Sequence, residues 1–330
     1  MTDPDSLRHS MARAPARAML KATGLSDEDI ARPLVAVVHS WTNATPCNLH
    51  LRALADHVSA GIREAGGTPL EFNTIAVSDG ICMGTEGMRG SLVSREVIAD
   101  SIELAVHSHG FEAIVILCGC DKTIPASAMA LARLNIPGVI LYGGSIQPGR
   151  WRGRDVTIQD VFEAVGACAA GHMTPEELAS LEEVACPGAG ACGGQFTANT
   201  MATALTFMGL SPIGANDIPA TDPRKIQAAR DAGALALRAL KEGLCPSMLL
   251  TREALHNAVA SVAATGGSTN AVLHLLAIAQ EADVHLELAD IDRICAETPI
   301  LTDLKPSGQF TAPDMERAGG AALLIQRMLK

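Results

Sequence analysis

The stretch A-I-V-I-L-C-G-C-D-K-T-I-P, residues 113–125, decides the fold. Its first six residues form an unbroken apolar run, the pattern of a strand buried on both faces. Gly119 breaks the run, a short polar loop follows, and residues 129–134 return at helical spacing. Strand, loop and helix in that order make one unit of an α/β fold.

Working outward, the same unit recurs. Residues 33–38 are a β-rich run ending at His39-Ser40, and residues 49–65 have helical periodicity that stops at Gly66-Gly67. Residues 72–77 form a second β-rich run, ending at Ser78-Asp79-Gly80, and residues 92–107 read as a helix. Residues 139–142 are a strand closed by Gly143-Gly144. The alternation predicts a three-layer α/β arrangement over about 33–150, a mainly parallel sheet flanked by helices. From about 155 to 330 the pattern turns helical, over 158–170, 175–183, 196–209, 223–241, 252–264 and 270–281, with a glycine-rich loop at 186–194. Residues 318–330 read as a last helix, and no internal repeat or low-complexity linker interrupts the chain.

The 330 residues are 48% hydrophobic and 18% charged, with few aromatics, so the core is built from Ala, Leu, Val and Ile. No apolar run is long enough to span a bilayer, which argues against a membrane partner. The net charge of −11 disfavours nucleic acid and anionic surfaces. An anionic small molecule held by a local cation stays open. Nine cysteines, irregularly spaced and without a secretory signal, point to a reducing, cytoplasmic setting rather than a disulfide framework.

Three of those cysteines sit in turn-like segments: Cys47 in T-P-C-N-L-H, Cys120 in G-C-D-K-T-I-P and Cys192 in C-P-G-A-G-A-C-G-G-Q. The segments 43–47, 78–79 and 119–122 all follow C-terminal ends of predicted strands, where open α/β sheets bind ligands. Cys120 is followed by Asp121, so a soft and a hard ligand share one loop. That pairing suggests an iron–sulfur cluster beside an oxygen-liganded cation. Packing is the ordinary explanation for any one buried cysteine, and a zinc site made by the same thiols would give a colourless protein. Cys82, Cys118, Cys168, Cys245 and Cys295 lie in apolar or helical surroundings, and Cys186 is assigned a structural role. Asp79 and Asp121 either begin a magnesium site or cap turns. Lys122 repels a cation unless carboxylation turns it into an anionic oxygen ligand. In the segment I-C-M-G-T-E-G-M-R-G-S, Ser91 reads as a helix N-cap, or Arg89 as a carboxylate contact. Gly266-Gly267 precedes a helix N-terminus, an anion site or an interhelical turn, and receives no catalytic role.

Taken together, H-S-W-T-N-A-T-P-C-N-L-H-L, E-F-N-T-I-A-V-S-D-G-I, M-G-T-E-G-M-R, G-C-D-K-T-I-P, C-G-G-Q-F-T-A-N-T-M and G-G-S-T-N-A-V-L-H resemble the dihydroxy-acid/phosphogluconate dehydratase family, in its dihydroxy-acid branch. The resemblance runs from about Arg17 to the end of the chain. It implies that Cys47, Cys120 and Cys192 hold the cluster, and that Cys47 marks the 2Fe–2S branch. It implies a magnesium ion on Asp79, Asp121 and carboxylated Lys122. The implied activity is a hydro-lyase reaction, 2,3-dihydroxy acids to 2-oxo acids, in valine and isoleucine biosynthesis by a homodimer. Sugar-acid dehydration is the alternative within the family, and a cluster-binding module without catalysis the alternative outside it. Two departures stand out. Ala126 occupies a position where many relatives carry Gly, here expected in a turn. Nothing matches the family's second, β-rich domain, which supplies a further glutamate ligand and the serine base. Residues 1–330 are therefore expected to be an N-terminal cofactor-binding domain with no catalytic base of its own, inactive alone.

Overall fold

Four short strands form one parallel sheet in a computed structural model that describes residues 4–330. The strands are β1 (Leu34–His39), β2 (Thr68–Asn73), β3 (Ala113–Cys118) and β4 (Gly138–Tyr142), in the order β2-β1-β3-β4. The helices that matter for the site are α1 (Leu51–Glu64), α2 (Arg89–His109), α3 (Thr123–Leu134), α4 (Ile158–Ala169), α5 (Thr197–Phe207), α6 (Arg224–Glu242), α7 (Arg252–Ala264) and α8 (Asn270–Glu281).

The two central strands β1 and β3 are buried throughout, which explains why they read as continuous apolar runs. Strand alternation splits their side chains between two cores. Ala36, Val38, Ile114 and Ile116 pack with Ile98 and Ile102 of α2 and Met129 of α3. Val35, Val37, Val115 and Leu117 pack with Leu54 and Val58 of α1 and Ala229, Ala232 and Ala236 of α6. The result is helix, sheet, helix, with α5, α7 and α8 contributing Met201, Leu205, Val259 and Leu275 on the α3 side. On the other side α1 and α6 touch backbone to backbone. A Cβ on Gly61 would stand 2.0 Å from the Arg230 carbonyl oxygen, and one on Gly233 would stand 2.4 Å from that of Val58.

The connection after β1 runs through α1 to β2, and the connection after β3 runs through α3 to β4 on the opposite face. The loops leaving β1 and β3 therefore diverge, and a crevice opens between their C-terminal ends, the switch point at which such sheets bind ligands.

Several expectations are corrected. The second strand is residues 68–73, not 72–77, because β1 pairs with it only as far as His39 opposite Asn73. Beyond the Thr74 amide, which still donates to the His39 carbonyl at 2.9 Å, residues 75–78 leave the sheet, and Asp79 begins a one-turn helix, Asp79–Cys82. α2 begins at Arg89, so Ser91 lies inside its first turn and is not the N-cap. α3 begins at Thr123, directly after Lys122. A small antiparallel hairpin, Gly149–Trp151 with Arg154–Val156, was not anticipated. Among the described residues no helix is long and apolar enough to cross a membrane.

Candidate functional site

The crevice between β1 and β3 holds a cavity of about 530 Å³ whose walls include Cys47, Cys120, Cys192, Asp79 and Asp121. The three cysteines arrive from three loops that are bound to one another. Gly119 lets two of them meet, since a Cβ there would lie 2.2 Å from the Cys47 carbonyl oxygen. The third loop is tied on by the Gly190 amide, which donates to the Pro46 carbonyl at 2.9 Å, and by the Ile146 amide, which donates to Ala191 at 2.6 Å. Asn199 of α5 donates to the carbonyls of Cys192 at 2.5 Å and Gly194 at 2.6 Å, closing the turn from behind. The Cys120 amide donates to Thr123 Oγ1 at 2.9 Å, fixing that loop to the start of α3.

The thiols feel each other. A hydrogen bond with Cys120 pushes the Cys47 thiol well above its ordinary range, with burial and the nearby Cys120 and Cys192 adding to it. Burial, then Asp121, Cys120 and Cys186, push Cys192 up to about 12. Tyr142, buried at the end of β4, is raised by burial and then by Cys47, Cys192, Cys118 and Cys120, so it too lies within reach of the group. A bound cationic group reverses this tendency, because a coordinated thiol is deprotonated outright. Among the described residues no three His, Cys, Asp or Glu side chains are grouped to hold a single metal ion.

At Asp79 the charge is already paired. Asp79 is buried; its Oδ2 accepts from Lys122 Nζ at 2.7 Å and its Oδ1 from Ser91 Oγ at 2.6 Å. Lys122 is itself buried. Asp121 is half-buried, and burial, then the charge of Asp79, raise its carboxyl to about 6 against the pull of Lys122 and of hydrogen bonds from Thr197 and the Ala198 amide. The chain thus gathers Cys47, Cys120, Cys192, Asp79 and Asp121 around one space, with Lys122 just behind Asp79.

Other parts of the wall were missed or discounted in the sequence. Ser268 and Asn270, after Gly266-Gly267, face the cavity, and both bond Thr197 Oγ1 at 3.0 Å. The Gly-Gly-Ser-Thr-Asn run is the available signal, and an interhelical turn explains it almost as well. Cys186, assigned a structural role, is exposed and lines the cavity mouth. Arg89 points away, 83% exposed and paired with Glu86 at 3.2 Å. It is not among the residues that line the cavity.

Residues 32–330 match the family described as dihydroxy-acid/6-phosphogluconate dehydratase, N-terminal. The chain belongs to that family. It is 57% identical over 326 residues to a dihydroxy-acid dehydratase from Koribacter versatilis, covering 99% of this chain and 57% of that protein. A Thermus thermophilus dihydroxy-acid dehydratase is 55% identical over 326 residues, with 99% and 59% covered. One from Sulfurisphaera tokodaii is 49% identical over 318 residues, with 96% and 57% covered. The chain thus spans less than two thirds of the length of these relatives. For this dehydratase-family chain the structure also revises Ala126: it lies within α3 and is fully buried, not in a turn. Alanine favours that helix over glycine by about 1 kcal/mol.

Proposed function

We propose that this chain is the cofactor-bearing part of a dihydroxy-acid dehydratase. Cys47, Cys120 and Cys192 hold a 2Fe–2S cluster, and Asp79, Asp121 and carboxylated Lys122 hold a magnesium ion. The observation that carries the reading is the cavity itself, whose wall brings three thiols and two carboxylates around one space large enough for a small hydroxy acid. The donor chemistry fits both groups, thiolates for iron–sulfur and carboxylate oxygens for magnesium. When bound, the two groups supply Lewis acidity toward the hydroxyl that leaves and toward the substrate's carboxylate end.

The chain's own residues do the rest. Ser91 orients Asp79, Thr197 and the Ala198 amide orient Asp121, and α5 holds the Cys192 turn. Met83, Met88, Ile158 and Phe162 make the cavity's flank apolar, which suits a branched aliphatic acid better than a polyhydroxylated sugar acid. The product is a 2-oxo acid on the route to valine and isoleucine. The working enzyme is a cytoplasmic homodimer, and the chain alone does not turn over, because the family resemblance puts the serine base outside residues 1–330.

The test is turnover after anaerobic loading with iron, sulfide and magnesium, using 2,3-dihydroxy-3-methylbutanoate and a sugar acid as rival substrates. A protein containing this chain together with the rest of its relatives' length is expected to dehydrate the first and not the second; the isolated chain should dehydrate neither. Turnover by the isolated chain, or a preference for the sugar acid, would contradict the reading.

A further inference from the structure

Of the three cysteine loops, the one carrying Cys192 has the least regular structure beneath it. Cys120 sits at the start of α3, whose Thr123 accepts from its amide. Cys192 instead ends a run in which Gly188 and Gly190 take φ of 117° and 128°. It is half-buried, where Cys47 and Cys120 are buried. Glycine loosens a chain, so a ligand placed here depends on its tethers. One tether is Asn199, and its orientation is unambiguous. The Cys192 and Gly194 carbonyls can only accept, so Nδ2 faces them, at 2.5 and 2.6 Å. Oδ1 then faces the Tyr142 hydroxyl at 2.8 Å, and the phenol donates. Tyr142 is the chain's single tyrosine, fully buried at the end of β4. Each of its polar atoms meets a side chain from a different segment. Its amide donates to Asn216 Oδ1 at 3.0 Å, and its carbonyl accepts from Lys225 Nζ of α6 at 3.1 Å. Lys225 is buried as well and also donates to the Ala215 carbonyl at 2.8 Å. Burying a phenol, two amides and an ammonium carries a cost that apolar side chains would not incur. The row they form runs from α6 through the end of the sheet to the backbone of one cysteine turn.

We infer that Tyr142 is a positioning residue for the cluster ligand Cys192, acting through Asn199, whose amide it locks in the orientation that grips the Cys192 turn. The inference rests on the reading of the three cysteines given above. Without the phenol, Asn199 Oδ1 is left buried without its donor, a state that folded proteins avoid. The amide is then free to turn its own donors away from the two carbonyls. Cys192 loses a fixed place, while Cys120 keeps the one that Thr123 gives it.

The experiment compares Tyr142→Phe, which removes only the hydroxyl, with Asn199→Ala and with Ser211→Ala. Ser211 is the control, because its buried hydroxyl donates to the Ile140 carbonyl of the same strand at 2.6 Å, a bond that does not lead to the cysteine turn. Two rates are read: release of iron to a chelator from the anaerobically reconstituted chain, and alkylation of Cys192 relative to Cys120 in the unloaded chain, by mass spectrometry. Tyr142→Phe is expected to raise both by about fivefold, the range of one lost hydrogen bond, and to change the visible circular dichroism of the cluster. Asn199→Ala should raise both by about tenfold or more, since it removes two hydrogen bonds. Adding Tyr142→Phe to Asn199→Ala should change neither rate further, because residues acting in series are not additive. Ser211→Ala should stay close to wild type in both. Should Tyr142→Phe fail to fold by far-ultraviolet circular dichroism, Asn199→Ala against Ser211→Ala decides, and wild-type rates in folded Asn199→Ala would overturn the inference. Unchanged rates in folded Tyr142→Phe, or equal changes in Ser211→Ala, would overturn the role of Tyr142 alone. A wild-type chain that takes up no cluster would overturn the reading of the cysteines, and the alkylation ratio would still decide whether Tyr142 positions Cys192.

Discussion

At one end of the cavity Cys47 and Cys192 face each other, Cys120 and Asp121, and their thiols are pushed upward toward neutrality. At the other end Asp79 is met by Lys122 and Ser91 at hydrogen-bond distance. The soft end stays buried by keeping its protons, and the hard end by pairing its charges. The difference teaches that both ends are tolerable before anything is loaded, but for different reasons, so perturbing them should fail differently. Loading the soft end displaces protons; loading the hard end displaces or remakes an ion pair.

The sharpest way to break the comparison is at the thiols. Cys120→Ser is expected to abolish the visible absorption of the anaerobically loaded protein while leaving the thermal melting of the unloaded protein nearly unchanged, because a neutral thiol and a hydroxyl are close in size. Asp79→Asn should do the opposite. It leaves Lys122 buried without its counter-charge, and breaking such a pair costs about 3–5 kcal/mol, read by urea denaturation, with iron content largely retained. Gly61→Ala is the control for the scaffold. It drives a methyl into the Arg230 carbonyl and should cost about 1–3 kcal/mol without selectivity for either end.

A further difference concerns pH. The thiol of Cys192 titrates near 9.0 when unfolded and at about 12 in the fold. Between those values the unfolded chain releases a proton that the folded chain keeps, so unloaded protein should lose stability as pH rises from 9.0 toward about 12. Cys192→Ala should flatten part of that slope in denaturation measured across the window.

The same comparison explains what could be read from the sequence. The central strands were legible to the residue or nearly so, as in β3 at 113–118, because burial on both faces leaves an unbroken apolar run. The edge strand was displaced by about four residues, because its outer positions are partly exposed and nothing in 72–77 says where pairing with β1 stops. The candidate ligands were visible as residue types in turns after strands. Their partners were not: Ser91 sits within a helix, reads as an ordinary cap, and is brought to Asp79 only by packing. Cys186 failed in the other direction, since its turn resembled the others and only the cavity wall shows that it shares their space.

The most direct test of the central claim is iron and acid-labile sulfide per chain, with the visible spectrum, after anaerobic reconstitution and removal of unbound metal. The account predicts a coloured protein with about two irons and two sulfides per chain, lost in each of the Cys47, Cys120 and Cys192 serine variants and kept in Cys186→Ser. A colourless protein that retains zinc, or a cluster that survives loss of Cys47, would contradict it.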